Sequence, residues 1–149
     1  MSPESKLLAK KYESTLGRPQ QLTNTANYTN EHPFTKTIVH KSLLRLVNRD
    51  AKLATKLWSE YQELFNFSIE QQQAFSFLLA KRKAFDYEPL AAQRLLALLS
   101  VEKQTTVIEI VLRQHLKNSQ WQAFYNWLHL LLASERLSNR WQYWQARYY

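Results

Sequence analysis

The sequence predicts an all-α fold, an α-superhelix or solenoid of about eight antiparallel-stacked helices. Glycine carries the first argument. The chain has one glycine and four prolines in 149 residues, where average usage gives about ten glycines. Hairpins, bulges, phosphate loops and nucleophile elbows depend on glycine for positive φ or close backbone approach, so its scarcity argues against all of them. Period carries the second: from Phe34 onward, apolar residues recur at helical spacing. Width carries the third. Trp127 and Leu130 lie off the main stripe of their helix, which implies burial on two sides, as in a layered stack.

The elements follow from their punctuation. Ser2, Pro3 and Glu4 supply a capping hydroxyl, a proline at the first helical position and an acid in the first turn. They open a helix that runs to Leu16, where Gly17 and Pro19 act as a stop signal. Residues 18–33 are polar, Asn/Thr-rich and aperiodic, and read as a long loop, the least ordered internal segment. Phe34, Ile38, Val39, Ser42, Leu43, Leu46 and Val47 make the next stripe. Asp50 reads as the N-cap of a helix carrying Leu53, Ala54, Leu57, Trp58, Tyr61, Leu64 and Phe65. Ser68 with Gln71 forms a capping box ahead of Phe75, Leu78 and Leu79.

A break at Asp86 to Pro89 precedes Leu90, Ala91, Leu95, Leu98 and Leu99. Thr106 with Glu109 reads as another capping box, opening a helix with Val107, Ile108, Val111, Leu112 and Leu116. That run is β-branched enough for a strand, but its apolar residues do not alternate, so helix is preferred. Two aromatic helices end the chain. Trp121, Phe124, Tyr125, Leu128, Leu131 and Leu132 share one face; after a polar break at Ser134 to Asn139, Leu137, Trp141, Trp144 and Tyr148 share another. Asp50 and Ser119 are each followed by alanine at +4 and tryptophan at +8, a thin hint of an internal repeat. The 149 residues read as a single helical domain or a fragment of a larger superhelical one.

Chemistry is sparse. Without cysteine, disulfides, thiolate metal sites and a cysteine nucleophile are excluded. His32, His40, His115 and His129 show no i, i+4 pairing and no acidic cluster that would complete a metal set, so no metal or other cofactor is expected. Glu60 and Glu63 lie one turn apart on a polar face and read as solvated charge rather than a glycosidase pair. Glu102, Glu109 and Glu135 read as single acids near helix termini, and His129 as an interface histidine on the flank of the aromatic helix. No catalytic residue is assigned.

The net charge of +8, from 20 Lys and Arg against 12 Asp and Glu, favours anionic partners. Lys81, Arg82 and Lys83 read as compensation of a helix C-terminus. Lys36, Lys41, Arg45, Arg49, Lys52 and Lys56 spread over two successive helices, and Lys41, Arg45, Arg49, Lys52 and Lys56 are the candidates for a polyanion-facing surface. No recognition-helix spacing supports a specific nucleic-acid partner. Tyr143 and Arg147, at i and i+4, suit a cation–π pair. No apolar run reaches the length of a membrane span, and the N-terminal residues as written carry no signal-peptide h-region.

The terminal stretch carries a resemblance. R-W-Q-Y-W-Q-A-R at 140–147, preceded by W-x-x-F-x-x-W-L at 121–128 and a polar break, resembles the end of the α-superhelical region of soluble lytic murein transglycosylases. N-R-D-A-x-x-A-x-x-L-W at 48–58 is similar to another helix of that region, and residues 104–117 fall where the family has a helix with a basic ending. The resemblance is carried by residues 84–149 and, more thinly, by 34–83. It implies a parent enzyme that cleaves peptidoglycan glycan strands non-hydrolytically in the periplasm. It also implies a lysozyme-like module whose catalytic glutamate sits in an E-S-x-F context followed by G-L-M-Q. Neither motif occurs in this chain: Lys6 and Leu7 follow Glu4-Ser5.

The expected function is therefore the non-catalytic superhelical part of such an enzyme, supporting or positioning murein strands for a C-terminal module. Trp141, Tyr143, Trp144 and Arg147 would serve as structural motif residues. A free-standing helical scaffold for protein–protein contacts is the alternative, and dimerisation through an uncovered C-terminal helix is a further expectation.

Overall fold

The computed structural model describes residues 2–30, 32–131, 133–136 and 138–148, with the side chains of 133, 134, 139 and 148 left aside. Among these residues there are no strands. The α-helices are α1 (Pro3–Gly17), α2 (Pro33–Arg49), α3 (Ala51–Leu64), α4 (Ile69–Phe85), α5 (Pro89–Leu96), α6 (Val101–Lys117), α7 (Trp121–Leu128), α8 (Ala133–Arg136) and α9 (Asn139–Tyr148). The predicted all-α class is what the chain adopts. Contacts divide it into two compact units, Met1–Leu78 and Leu79–Tyr149, with the division falling inside α4.

In the first unit α2 packs on α3 and on α1. The Ser2 hydroxyl accepts from Ser5 N–H at 3.1 Å with Pro3 in the first turn, as its sequence predicts. The α2–α3 link is Asp50 alone: its N–H donates to Leu46 O at 2.7 Å, closing α2. Its carboxylate accepts from Leu53 N–H at 3.0 Å, opening α3. The capping box at α4 is reciprocal, with Gln71 N–H to Ser68 Oγ at 3.1 Å and Ser68 N–H to Gln71 Oε1 at 3.0 Å. The core is a stack of rings. Trp58 lies parallel to Phe67 (centroids 4.8 Å, 9°) and to Phe75 (4.2 Å, 4°). Phe34, expected in the α2 stripe, is instead 64% exposed and stacks on His32, because it sits in the first turn, ahead of the buried Thr35–Val39–Leu43 face.

Residues 18–30 carry more local structure than the long loop expected of 18–33. They form two 3-10 turns, Pro19–Thr23 and Thr25–Asn27, and bury Leu22 and Tyr28. Tyrosine hydroxyls hold the segment. Tyr61 donates to Leu22 O at 2.6 Å, and Tyr28 pairs with Thr15 at 2.7 Å. Tyr12 pairs with Thr35 at 2.6 Å, fixing α1 against α2 beside it. Aperiodicity hides this order, since the partners lie up to 39 positions away.

In the second unit α6 packs on α5 and α7, and α9 on α7 and α8. The capping box expected at Thr106 and Glu109 does not form. Helix α6 starts two turns earlier, with Ser100 as N-cap, and Thr106 Oγ1 donates back to Glu102 O at 3.3 Å. A Ser-Val-Glu opening satisfies the same rule first, so the later match is idle. On α5 the buried positions are Ala92 and Leu96, followed by Leu99, whereas Leu90 and Leu98 face solvent. Gln104 sets that rotation by donating to Leu96 O at 2.9 Å and Leu99 O at 3.0 Å.

Helices α4 and α6 end alike. Tyr87 (φ 57°) and Ser119 (φ 56°) adopt the left-handed conformation. Each N–H closes a short bond, Tyr87 to Ala84 O at 3.1 Å and Ser119 to Leu116 O at 3.1 Å. The next residue bonds to the carbonyl one position further back, Glu88 to Lys83 O at 2.8 Å and Gln120 to His115 O at 2.9 Å. These are Schellman endings with tyrosine and serine where glycine is usual. The polar break at Ser134 to Asn139 holds the single turn α8; Leu132, Leu137 and the Tyr148 side chain of the expected stripes lie outside the described residues.

Candidate functional site

Of the cations singled out from sequence, the fold separates two sets. Helix α1 has no basic residue in its last turn, and its terminal carbonyls are capped from α2. Arg45 Nη1 donates to Leu16 O at 2.9 Å and Arg49 Nη1 to Gly17 O at 3.0 Å. Gly17 itself is not at positive φ, so α1 is stopped by guanidiniums and not by the glycine conformation its sequence suggests. Lys36 is similarly engaged, donating to Asn66 O. Lys41, Lys52 and Lys56 remain exposed on α2 and α3. Only these three of the five candidate positions present an ammonium with no bond described. At the end of α4, Arg82 pairs with Asp86 at 3.0 Å and Lys83 with Glu88 at 3.1 Å. That matches a locally neutralised helix terminus.

The terminal motif splits along α9. Trp141 is 1% exposed and its ring meets Phe124 of α7 at 6.0 Å. Arg140 points to α6, where Glu109 accepts from it at 2.5 Å and from Arg113 at 3.3 Å. Glu109 is thus a mid-helix anchor between two guanidiniums, not the helix-terminal acid expected. Sequence reasoning missed it because the partner lies 31 positions away. The other motif residues turn outward. The rings of Trp144 and Trp121 lie 6.0 Å apart at 36°, and Tyr143 meets Trp144 edge-on at 5.1 Å. Arg147 lies 6.0 Å over the Tyr143 ring and donates to its hydroxyl at 3.4 Å. Trp121 and Tyr143 are 42% and 55% exposed.

Two histidines are buried, one in each unit. His40 Nε2 donates to Gln71 O at 2.8 Å, with Trp58 edge-on at 6.2 Å. His115 Nδ1 shares a proton with the Tyr87 hydroxyl at 2.9 Å, with Trp127 at 6.1 Å, and its Nε2 has no partner among the described residues. Burial pushes both imidazoles below their ordinary range, opposed at His40 by the Gln71 carbonyl. Burial, assisted by the charges of Tyr28 and Glu60, pushes the Tyr61 phenol upward, which keeps its proton on Leu22 O. His129 is exposed and pairs with Arg136 at 3.2 Å. Among the described residues no group of three or more His, Asp or Glu could hold a metal. Every described acid is exposed except the half-buried Glu109 and Glu135. Glu60 and Glu63 rim an open cavity of about 400 Å³ beside Tyr61 and Thr25, and a second of about 230 Å³ lies between Tyr12, Leu8, His32 and Phe34.

No protein-family model matches the sequence, and no curated protein matches it. Among solved structures, the chain is similar to an inactive mutant of the lytic transglycosylase Slt from Pseudomonas aeruginosa. Sequence identity is 26% and the TM-score 0.67, with 92% of this chain and 22% of that chain covered. The chain is similar to part of a lytic transglycosylase. It spans about a fifth of the length of that structure. The 8% left unmatched is fewer residues than precede Phe34, so the likeness reaches into the segment where the sequence carries no resemblance. No helix among the described residues is long and apolar enough to cross a membrane.

Proposed function

We propose that this chain is a non-catalytic helical part of a peptidoglycan lytic transglycosylase, supporting or positioning murein glycan strands for a lysozyme-like module that carries the catalytic glutamate. The observation that carries it is the likeness to the Pseudomonas enzyme over 92% of this chain, with R-W-Q-Y-W-Q-A-R wound onto the α9 that α7 and α8 hold. The disposition of the acids supports the non-catalytic part. A general acid for glycosidic cleavage needs a carboxyl raised by an apolar pocket, whereas Glu109 is clamped by Arg113 and Arg140 and the surface acids are solvated. The excess of base suits an anionic wall polymer, and the periplasm is the compartment this role requires.

Purified chain incubated with peptidoglycan sacculi is expected to co-sediment and to release no anhydro-muropeptides. Release of such products by the chain alone would refute the non-catalytic role, and absence from the pellet at low ionic strength would refute glycan positioning. A scaffold for protein contacts is the second reading. It is favoured by Phe85 at the end of α4 and Leu90 and Leu98 around α5, each more than half exposed. Capture of one defined partner, lost on Leu90→Ser with Leu98→Ser, would establish it.

A further inference from the structure

The motif of α9 does more than pack. Among the described side chains of α9, Trp141 is the fully buried anchor, yet Tyr143, Trp144 and Trp121 form a continuous row of rings partly open to solvent. Leaving such rings in water forgoes about 25 cal/mol per Å² of buried apolar surface. We propose that Trp121, Tyr143 and Trp144, with the Arg147 guanidinium, form a stacking platform for a hexopyranose strand. This rests on the glycan-positioning role proposed above and assigns it to specific residues.

Three features select a sugar. Among the described residues, the large exposed apolar side chains of α7 and α9 are aromatic, Trp121 and Tyr143, in contrast to the aliphatic Leu90 and Leu98 near α5 that suit a protein helix. Ring faces match the C–H face of a pyranose, while the Tyr143 hydroxyl and Arg147 can bond its hydroxyl rim. The centroid spacings of 5.1 and 6.0 Å are comparable to the span of one sugar ring; Trp121 and Trp144 lie 36° apart and Tyr143 stands 81° from Trp144, so a strand stacked on the tryptophans meets Tyr143 as a wall beside them. Arg147 forms no ion pair among the described residues, its guanidinium being held only by Tyr143. Below the platform, the Phe124–Trp141 contact ties α9 to α7, so the rings are presented on rigid elements. Rigid aromatic side chains also lose little entropy on binding.

The test uses the full chain with sacculi and with β-1,4-linked N-acetylglucosamine oligomers. Co-sedimentation and tryptophan fluorescence are the readouts. Wild type is expected to pellet with sacculi and to change its fluorescence on adding oligomer. Trp144→Ala and Tyr143→Ala are expected to weaken sacculus binding about tenfold or more, with Tyr143→Phe, which keeps the ring and loses only the hydroxyl contact, weakened less than Tyr143→Ala. Trp144 is half-buried, so circular dichroism and melting accompany each variant; Tyr143, more than half exposed, gives a variant that leaves the core intact. Folded Tyr143→Ala and Trp144→Ala proteins that pellet like wild type would overturn the platform and leave the positioning role standing. Wild type that fails to pellet would overturn both.

Discussion

The two units solve the same problem, a tryptophan-lined core with a buried imidazole, by different means. In the first, Trp58 sits between Phe67 and Phe75 and His40 has an acceptor for its proton. Helix ends there are closed by side chains, with Asp50, Ser68, Arg45 and Arg49 each serving an orphan backbone group. In the second, His115 Nε2, Arg136 Nε and Trp141 Nε1 are buried with no partner among the described residues, against Ser42 Oγ in the first, and two helix ends place non-glycine residues at positive φ. The second half is also the more basic: ten Lys and Arg against five acids in residues 79–149, compared with ten against seven in 1–78. The polar groups of the first unit go mainly to stability, while the second carries more buried unpartnered groups and both left-handed helix ends. Unsatisfied and strained groups of this kind cluster where surfaces have work to do.

That contrast can be broken at its strongest point. Trp58→Ala removes the centre of the ring stack and is expected to cost about 3–5 kcal/mol, read from urea unfolding. A loss under about 1 kcal/mol would mean that the stack is not the first unit's core. Next, Tyr61→Phe strands the Leu22 carbonyl, buried under a 0% exposed residue. A loss of about 1–3 kcal/mol is expected, together with faster amide exchange across the two 3-10 turns. Unchanged exchange there would show that the tyrosine does not hold the segment.

The histidines sharpen the comparison through pH. Both folded-state pKa values lie below the ordinary 6.5. Between the lowered value and 6.5 the unfolded chain therefore binds more protons than the folded one. Stability from the neutral imidazoles is complete above about pH 6.5 and is lost as pH falls through the folded values. Melting temperature is expected to fall between pH 7 and 5. The slope should flatten more in His115→Gln than in His40→Gln, since the Gln71 carbonyl opposes the effect of burial at His40 and nothing opposes it at His115. Equal slopes in all three proteins would contradict the assignment. The smallest effect is a gain. Ser119→Gly relieves the left-handed cost and is expected to stabilise by about 0.5–1 kcal/mol, against no gain if that ending is unstrained.

Legibility followed distance along the chain. The Asp50 cap, the Ser68–Gln71 box and the break at Asp86 to Pro89 involve partners within a few residues, and the fold places them where the sequence does. The Arg45 and Arg49 caps, the Tyr61–Leu22 bond and the Arg140–Glu109 pair join residues 29 to 39 positions apart. No periodicity or spacing rule announces them. Among the site residues, the sequence could mark Trp141, Tyr143, Trp144 and Arg147 as a motif. It could not divide them into one buried anchor and an outward row, because that depends on which neighbour covers which side of α9.

By itself the sequence determined the all-α class, through helical period and near absence of glycine, and the starts of α1, α3 and α4, through local capping chemistry. Tertiary structure alone decided that residues 19–28 form two 3-10 turns with Leu22 and Tyr28 buried, that two of five candidate cations close α1, and that part of the aromatic motif remains in solvent. The physical reason is one of range. A cap is settled by a few neighbouring backbone groups, whereas the burial of a ring or the engagement of a guanidinium depends on what another helix brings to it.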